Sequence, residues 1–177
     1  MNIPKFKSSL SSEEIDNNFQ HTNLFAEIKE SLNEIIEFEK MLNPAKWKYI
    51  KPLQAKSYIK EFENLSGYTF PGSFVDCVKK CNGGRPECRC FDTEAKKERA
   101  IKSLLSFNKE DKETIWKIYH WCKAELAGKY VPFAVDNFGN LICFDVENDT
   151  IIFLNNENVM PEKIADSFPE FLGGLYE

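Results

Sequence analysis

Histidine is nearly missing from this chain: His21 and His120 are its only two among 177 residues. That scarcity leaves no His-Glu zinc motif and no histidine grouped with a nucleophile for acid–base work. His21 sits in an amphipathic stretch and His120 beside Trp121, so both read as surface or packing residues. A serine elbow, a Walker loop and a dinucleotide fingerprint are also missing. Gly83-Gly84 runs into Arg85-Pro86 and reads as a helix end. It lacks the following helix N-terminus and lysine of a phosphate cradle. No apolar run reaches the roughly 20 residues that span a bilayer, and Met1–Leu10 lacks the apolar core of a signal peptide. The expectation is a cytoplasmic protein without membrane contact, its six cysteines kept as reduced thiols.

Basic side chains are scarce where the chain is most apolar. Residues 131–177 carry one, Lys163, against nine Asp and Glu, whereas residues 67–130 carry thirteen against nine. The overall charge of −5 argues against direct binding of nucleic acid. A strongly acidic final third suits a basic partner, or simply a solvated face that aids solubility. The length favours one buried core, and fifteen Phe exclude disorder as the general state.

What is present is organised around residues 131–154, VPFAVDNFGNLICFDVENDTIIFL. Val131, Phe133 and Val135 alternate as a strand with one buried face does. Asp136 to Asn140 is turn chemistry, with Gly139 available for positive φ. Leu141–Val146 is apolar on both faces except at Asp145, which suits a strand inside a sheet. Glu147-Asn148-Asp149-Thr150 turns the chain into a third strand, Ile151–Leu154. An antiparallel meander follows.

Ser11-Ser12-Glu13-Glu14 is a capping-box pattern, predicting a long helix to about Leu42 on Ile15, Phe19, Phe25, Ile28, Leu32 and Ile35 or Ile36. Asn43-Pro44 ends it. Residues 1–50 are expected to form a helical extension packed on a domain of residues 51–177. Within that domain helices are predicted near 55–65 (Tyr58, Ile59, Phe62 and Leu65 inward), 72–81 (Phe74, Val75 and Val78 inward) and 108–127 (Ile115, Ile118, Tyr119 and Cys122 inward). Gly67, Asn82-Gly83-Gly84 and Gly128 close them. Strands are predicted at 87–91 and Ile101–Phe107, and a helical turn at Pro161–Ala165. A last helix follows the Ser167-Phe168-Pro169-Glu170 capping box, with Phe168, Phe171, Leu172 and Leu175 inward. The fold class is α+β: a single domain with a central, mostly antiparallel sheet flanked by helices, plus the N-terminal extension.

Cys77, Cys81, Cys88 and Cys90 place four thiols within fourteen residues, the number a zinc ion takes. Their pair spacings are unequal, however, and Cys77 and Cys81 fit the apolar stripe of their helix, where Cys acts as a small hydrophobe. Cys122 and Cys143 likewise read as core. No metal and no cofactor is expected. Asp136, Asp145 and Glu157 could pair carboxylates for acid–base work, but Asp136 is accounted for by its turn and nothing marks a substrate pocket. An enzyme is not expected.

One set of motifs resembles a known family. Phe62-Glu63, Phe70-Pro71, Asn82-Gly83-Gly84-Arg85-Pro86, Pro132-Phe133-Ala134-Val135-Asp136 with Phe138-Gly139-Asn140, and the closing IADSFPEFL occur in the order seen in the SUKH superfamily. The likeness spans roughly residues 55–175. It implies a SUKH-like α+β fold and a binding protein rather than an enzyme: an immunity protein that neutralises a cognate toxin, often a nuclease or deaminase, by direct contact. A regulatory or scaffold member of the same superfamily, with no toxin partner, is the alternative. On the immunity reading the partner is a basic toxin domain, and the expected contacts are Asp136, Asp145, Glu147, Asp149 and Glu157 on the meander's turns. A homodimer stays open. The extension of about fifty residues and the cysteine content depart from the superfamily pattern.

Overall fold

The computed structural model describes the backbone of residues 12–177 and the side chains from residue 23 onward. The capping box at Ser11–Glu14 and the side chains of Ile15, Phe19 and His21 lie outside the described residues. In chain order the elements are α1 (Ser12–Met41), β1 (Trp47–Lys48), α2 (Ser57–Ser66), α3 (Gly72–Cys81), β2 (Arg85–Pro86), β3 (Cys90–Phe91), β4 (Arg99–Leu104), α4 (Ile115–Glu125), β5 (Tyr130–Asp136), β6 (Leu141–Asp145), β7 (Ile151–Leu154), β8 (Pro161–Ala165) and α5 (Phe168–Gly173). The chain divides between Glu39 and Lys40 into two compact units. The first contains most of α1; Leu24, Phe25, Ile28, Leu32, Ile35 and Ile36 on it are exposed. The second is the α+β domain. Residues 41–50, expected with the extension, are tied into this domain: Trp47 pairs with Pro86, its Nε1 donates to the Met41 carbonyl, and Lys51 N–H donates to the Asn82 carbonyl.

Six strands form one antiparallel sheet in the order β3-β4-β5-β6-β7-β8, and β1-β2 form a small second one. The predicted meander is its centre, with Leu141 opposite Val135 on one side and Leu154 on the other. Leu141–Phe144 and Ile151–Leu154 are fully buried, as a strand apolar on both faces requires. Phe144 stacks obliquely on Phe133, with centroids 4.7 Å apart, and meets Phe74 of α3 edge-on at 5.1 Å. Phe168 of α5 meets the same Phe74 at 5.1 Å, so the last helix returns to the core as its apolar spacing predicts. Edge-to-face geometry of this kind adds to the area term for burying large rings.

Several boundaries move for identifiable reasons. Pro161–Ala165 is a strand, not a helical turn: it pairs with β7 from Leu154↔Pro161 to Ile151↔Ala165. The backbone groups of β7 would otherwise be left unpaired inside the fold, and Pro is tolerated as the first residue of an edge strand. The helix predicted from Asn108 starts only at Ile115. Asn108 cannot cap it, because its side chain accepts from Gln54 N–H at 2.9 Å and donates to the Pro52 carbonyl at 3.1 Å; Thr114 caps instead, accepting from Lys117 N–H. The strand predicted through Phe107 ends at Leu104, while Leu105 N–H still donates to the Phe133 carbonyl. Of the segment predicted as one strand over 87–91, only Cys90–Phe91 is a strand, β3; β2 ends before it at Pro86. Leu65, expected inward, is 51% exposed.

Two local signals hold as expected. Gly67 closes α2 in the left-handed region, its N–H donating to the Glu63 carbonyl. Ser167 caps α5, accepting from Glu170 N–H, while the Glu170 carboxylate returns to Asp166 N–H at 2.7 Å, one residue upstream of the usual reciprocal partner. Gly84 answers a packing need: a Cβ there would sit 2.9 Å from the Cys81 carbonyl oxygen, against Ile50 and Trp47.

Candidate protein-interaction surface

The antiparallel order separates the turns of the sheet into two groups. The loops 92–98, 136–140 and 155–160 meet at one end, because Ile101 lies opposite Asp136 and Leu141 opposite Leu154. The 145–150 turn lies at the other end of β6, about 15 Å away for five residues of strand. The five candidate contact residues are therefore split. Asp136 and Glu157 are at the three-loop end; Asp145, Glu147 and Asp149 are at the opposite end.

Asp136 is only 2% exposed. One carboxylate oxygen accepts from Phe138 N–H at 2.8 Å and Asn140 N–H at 2.9 Å, and the other accepts from Asn140 Nδ2 at 2.7 Å. A buried carboxylate satisfied by three donors fixes a turn firmly, and Gly139 takes the positive φ of 83° that the turn needs. Asn140 extends the lattice: its Oδ1 accepts from Asn156 N–H at 3.1 Å, while Asn156 Nδ2 donates to the Phe138 carbonyl at 3.4 Å. The 136–140 and 155–160 loops are thereby joined, with Glu157 exposed beside them.

The opposite turn is built differently. Asp145, half-buried, accepts from Glu147 N–H at 2.9 Å and Asn148 Nδ2 at 3.3 Å. Asp149, at φ 56°, accepts from the Tyr68 hydroxyl at 2.9 Å. Burial, with the Asp149 carboxylate beside it, pushes the Tyr68 phenol well above its ordinary range. Glu147 is exposed.

Residue-type reasoning overlooks the most exposed large apolar side chain among the described residues. Phe138 is 74% exposed at the tip of its turn, and on the adjoining loop Met160 is 64% and Val159 37% exposed. Lys96 lies over the Phe138 ring, 5.3 Å from its centroid, and Arg99 over the Phe153 ring at 4.1 Å. Two cavities open here, of about 430 and 250 Å³, and they share Arg99 and Asn155 in their walls.

The thiols are dispersed. Cys77, Cys81, Cys122 and Cys143 are buried, Cys90 is half-buried and Cys88 exposed. Burial pushes the Cys122 thiol up to about 12 and Cys143 well above its ordinary value, so both stay protonated and unreactive. Cys77 is raised by its hydrogen bond to Cys81 and by burial. Among the described residues no group of three or more His, Cys, Asp or Glu is placed to hold a metal ion. Nor is any helix among them long and apolar enough to cross a membrane.

No curated protein matches the chain. A family model described as SMI1-KNR4 cell-wall, SUKH_6, matches residues 56–172, from the start of α2 to within α5. Domains of that kind are typically non-enzymatic and generally associated with toxin immunity. With the aromatic core, the six-stranded sheet and the Asp136–Asn140 turn all inside the matched span, the chain belongs to the SUKH family.

Proposed function

We propose that this protein is a cytoplasmic immunity protein that neutralises a basic, nuclease-type toxin domain by direct contact. The observation that carries this is the family match over residues 56–172. The acidic final third, with one basic residue against nine acidic ones, supports a basic partner, since complementary charge steers encounter and raises association rates. Glu147 and Glu157, both exposed, are the most accessible of the proposed contacts; Asp145 and Asp149 add charge while also holding their turn. Asp136 supports the surface from within.

Co-expression with the product of the adjacent gene tests the proposal. A stable complex that protects the cell is the expected result; survival no better than without the protein, and no complex, rejects it. In a complex, Glu147→Lys and Glu157→Lys are expected to lower the association rate and its salt dependence, with less effect on dissociation. The word cell-wall in the description of the matching family favours a second reading, a regulatory or scaffold protein without a toxin. A cell-wall phenotype on deletion, with no toxin bound, would select it.

A further inference from the structure

We infer that the three-loop end of the sheet is the face that grips the partner, with the Phe138 ring as its anchor and Met160 beside it. This rests on the toxin-binding role proposed above. It names the part of the surface that sets affinity, as distinct from the charges that set the rate of encounter. The partner it fits is a basic protein domain with an apolar depression the size of an aromatic ring.

Three observations lead there. First, nothing in the turn requires an aromatic at position 138. The conformation is set by the Asp136 carboxylate, the positive φ of Gly139 and the Asn140 amide, and the ring itself is 74% exposed. Second, the backbone that carries the ring is held in place. Its residue is tied through the backbone N–H to Asp136 and through the carbonyl to Asn156, and Lys96 lies over one face. An anchor on an already ordered backbone loses little backbone entropy on binding, and aromatic anchors dominate interface energetics. Third, among the turns of the sheet the exposed apolar side chains are gathered at this end. Phe138, Val159 and Met160 lie on two loops joined by Asn140 and Asn156, whereas the opposite turn exposes only Val146, at 37%. The cavities sharing Arg99 and Asn155 give this end the relief that a partner's own side chains would enter. Glu157, on the rim, supplies a carboxylate for a basic neighbour.

The test uses the full chain and the product of the adjacent gene, with association and dissociation rates measured for the wild type and for Phe138→Ser, Met160→Ser, Glu147→Lys and Leu65→Ser. Leu65 is an exposed apolar residue on α2, away from these loops, and controls for general loss of apolar surface. The expected result is a weakening of about 30-fold or more for Phe138→Ser, the scale of an interface hot spot, almost all of it in dissociation. Met160→Ser loses less, Glu147→Lys changes mainly association, and Leu65→Ser changes nothing. Thermal midpoints are measured alongside; if Phe138→Ser lowers its own, Phe138→Asn, a residue suited to turns, takes its place. Binding by Phe138→Ser and Phe138→Asn within twofold of wild type overturns the inference and leaves the toxin-binding role standing. Failure of the wild type to bind overturns both.

Discussion

The Asn140 side-chain amide donates to the buried Asp136 carboxylate at 2.7 Å, so the turn that presents Phe138 is secured from inside the protein. Asp136→Ala would leave two backbone N–H groups and this amide without their acceptor. Charge-assisted bonds of this kind contribute about 1.5–3 kcal/mol each, not additively. Urea denaturation of Asp136→Ala is expected to show a loss of about 2–4 kcal/mol. A loss below about 0.5 kcal/mol, the range of an ordinary surface substitution, would mean that the turn does not depend on the carboxylate. Asp136→Asn is expected to fall between, since one oxygen can still accept while its NH2 faces the Asn140 amide.

Tyr68 predicts an alkaline limit. Its folded phenol is raised above the ordinary value of 10.0 by burial and by Asp149. The stabilisation is therefore fully present below pH 10 and is lost as pH rises from there toward the folded value. Absorbance titration of phenolate should show Tyr68 ionising later than the exposed tyrosines, together with Tyr119, which burial also raises. In Tyr68→Phe the late-ionising amplitude should shrink by one phenol, the protein being less stable at neutral pH but less sensitive above pH 10. A tyrosine at position 68 that titrates freely in the native state would contradict the geometry.

Thiol chemistry offers a direct check on burial. Cys88 is exposed and Cys90 half-buried, while the remaining four are buried. A thiol-reactive dye added to native protein should label Cys88 first, Cys90 more slowly, and the others only in denaturant. Rapid native labelling of Cys122 or Cys143 would be inconsistent with a core in which both thiols are held protonated.

Residues 40–177 are expected to fold without the preceding segment. Every buried apolar side chain among the described residues lies at Leu42 or later, and the chain divides at Glu39. Calorimetry of the shortened and full-length chains side by side should give a cooperative transition for 40–177, its midpoint within a few degrees of that of the full chain. Loss of cooperativity would show that the extension completes the core.

The centre of the fold is legible from local pattern because its physics is local. Alternation at Val131, Phe133 and Val135 and the Asp136–Asn140 turn chemistry place β5 and β6 without reference to distant residues. The edge of the sheet is different: β8 is a strand only because β7 lies beside it, and Pro161-Glu162-Lys163 carries no strand signal of its own. The start of α4 depends on Asn108 finding acceptors and donors at Pro52 and Gln54, contacts invisible to a window of neighbours. The candidate surface divides in the same way. Asp136 is readable as a turn former, but its burial comes from the packing around it. Phe138 falls in the predicted turn, but nothing in its residue type says that the ring stays exposed at the tip.

Tyr176 exchanges two backbone hydrogen bonds with Cys90 and accepts a third from Arg89, while its hydroxyl donates to Asp92 at 2.6 Å. The final residues thus act as a clasp over the outer border of β3, a border that would otherwise be free to recruit strands from other molecules. Proteolytic trimming before Tyr176 should leave the aromatic core intact yet turn a well-behaved protein into one prone to self-adhesion, and any tag placed after Glu177 should be spaced so that it does not prise the clasp open.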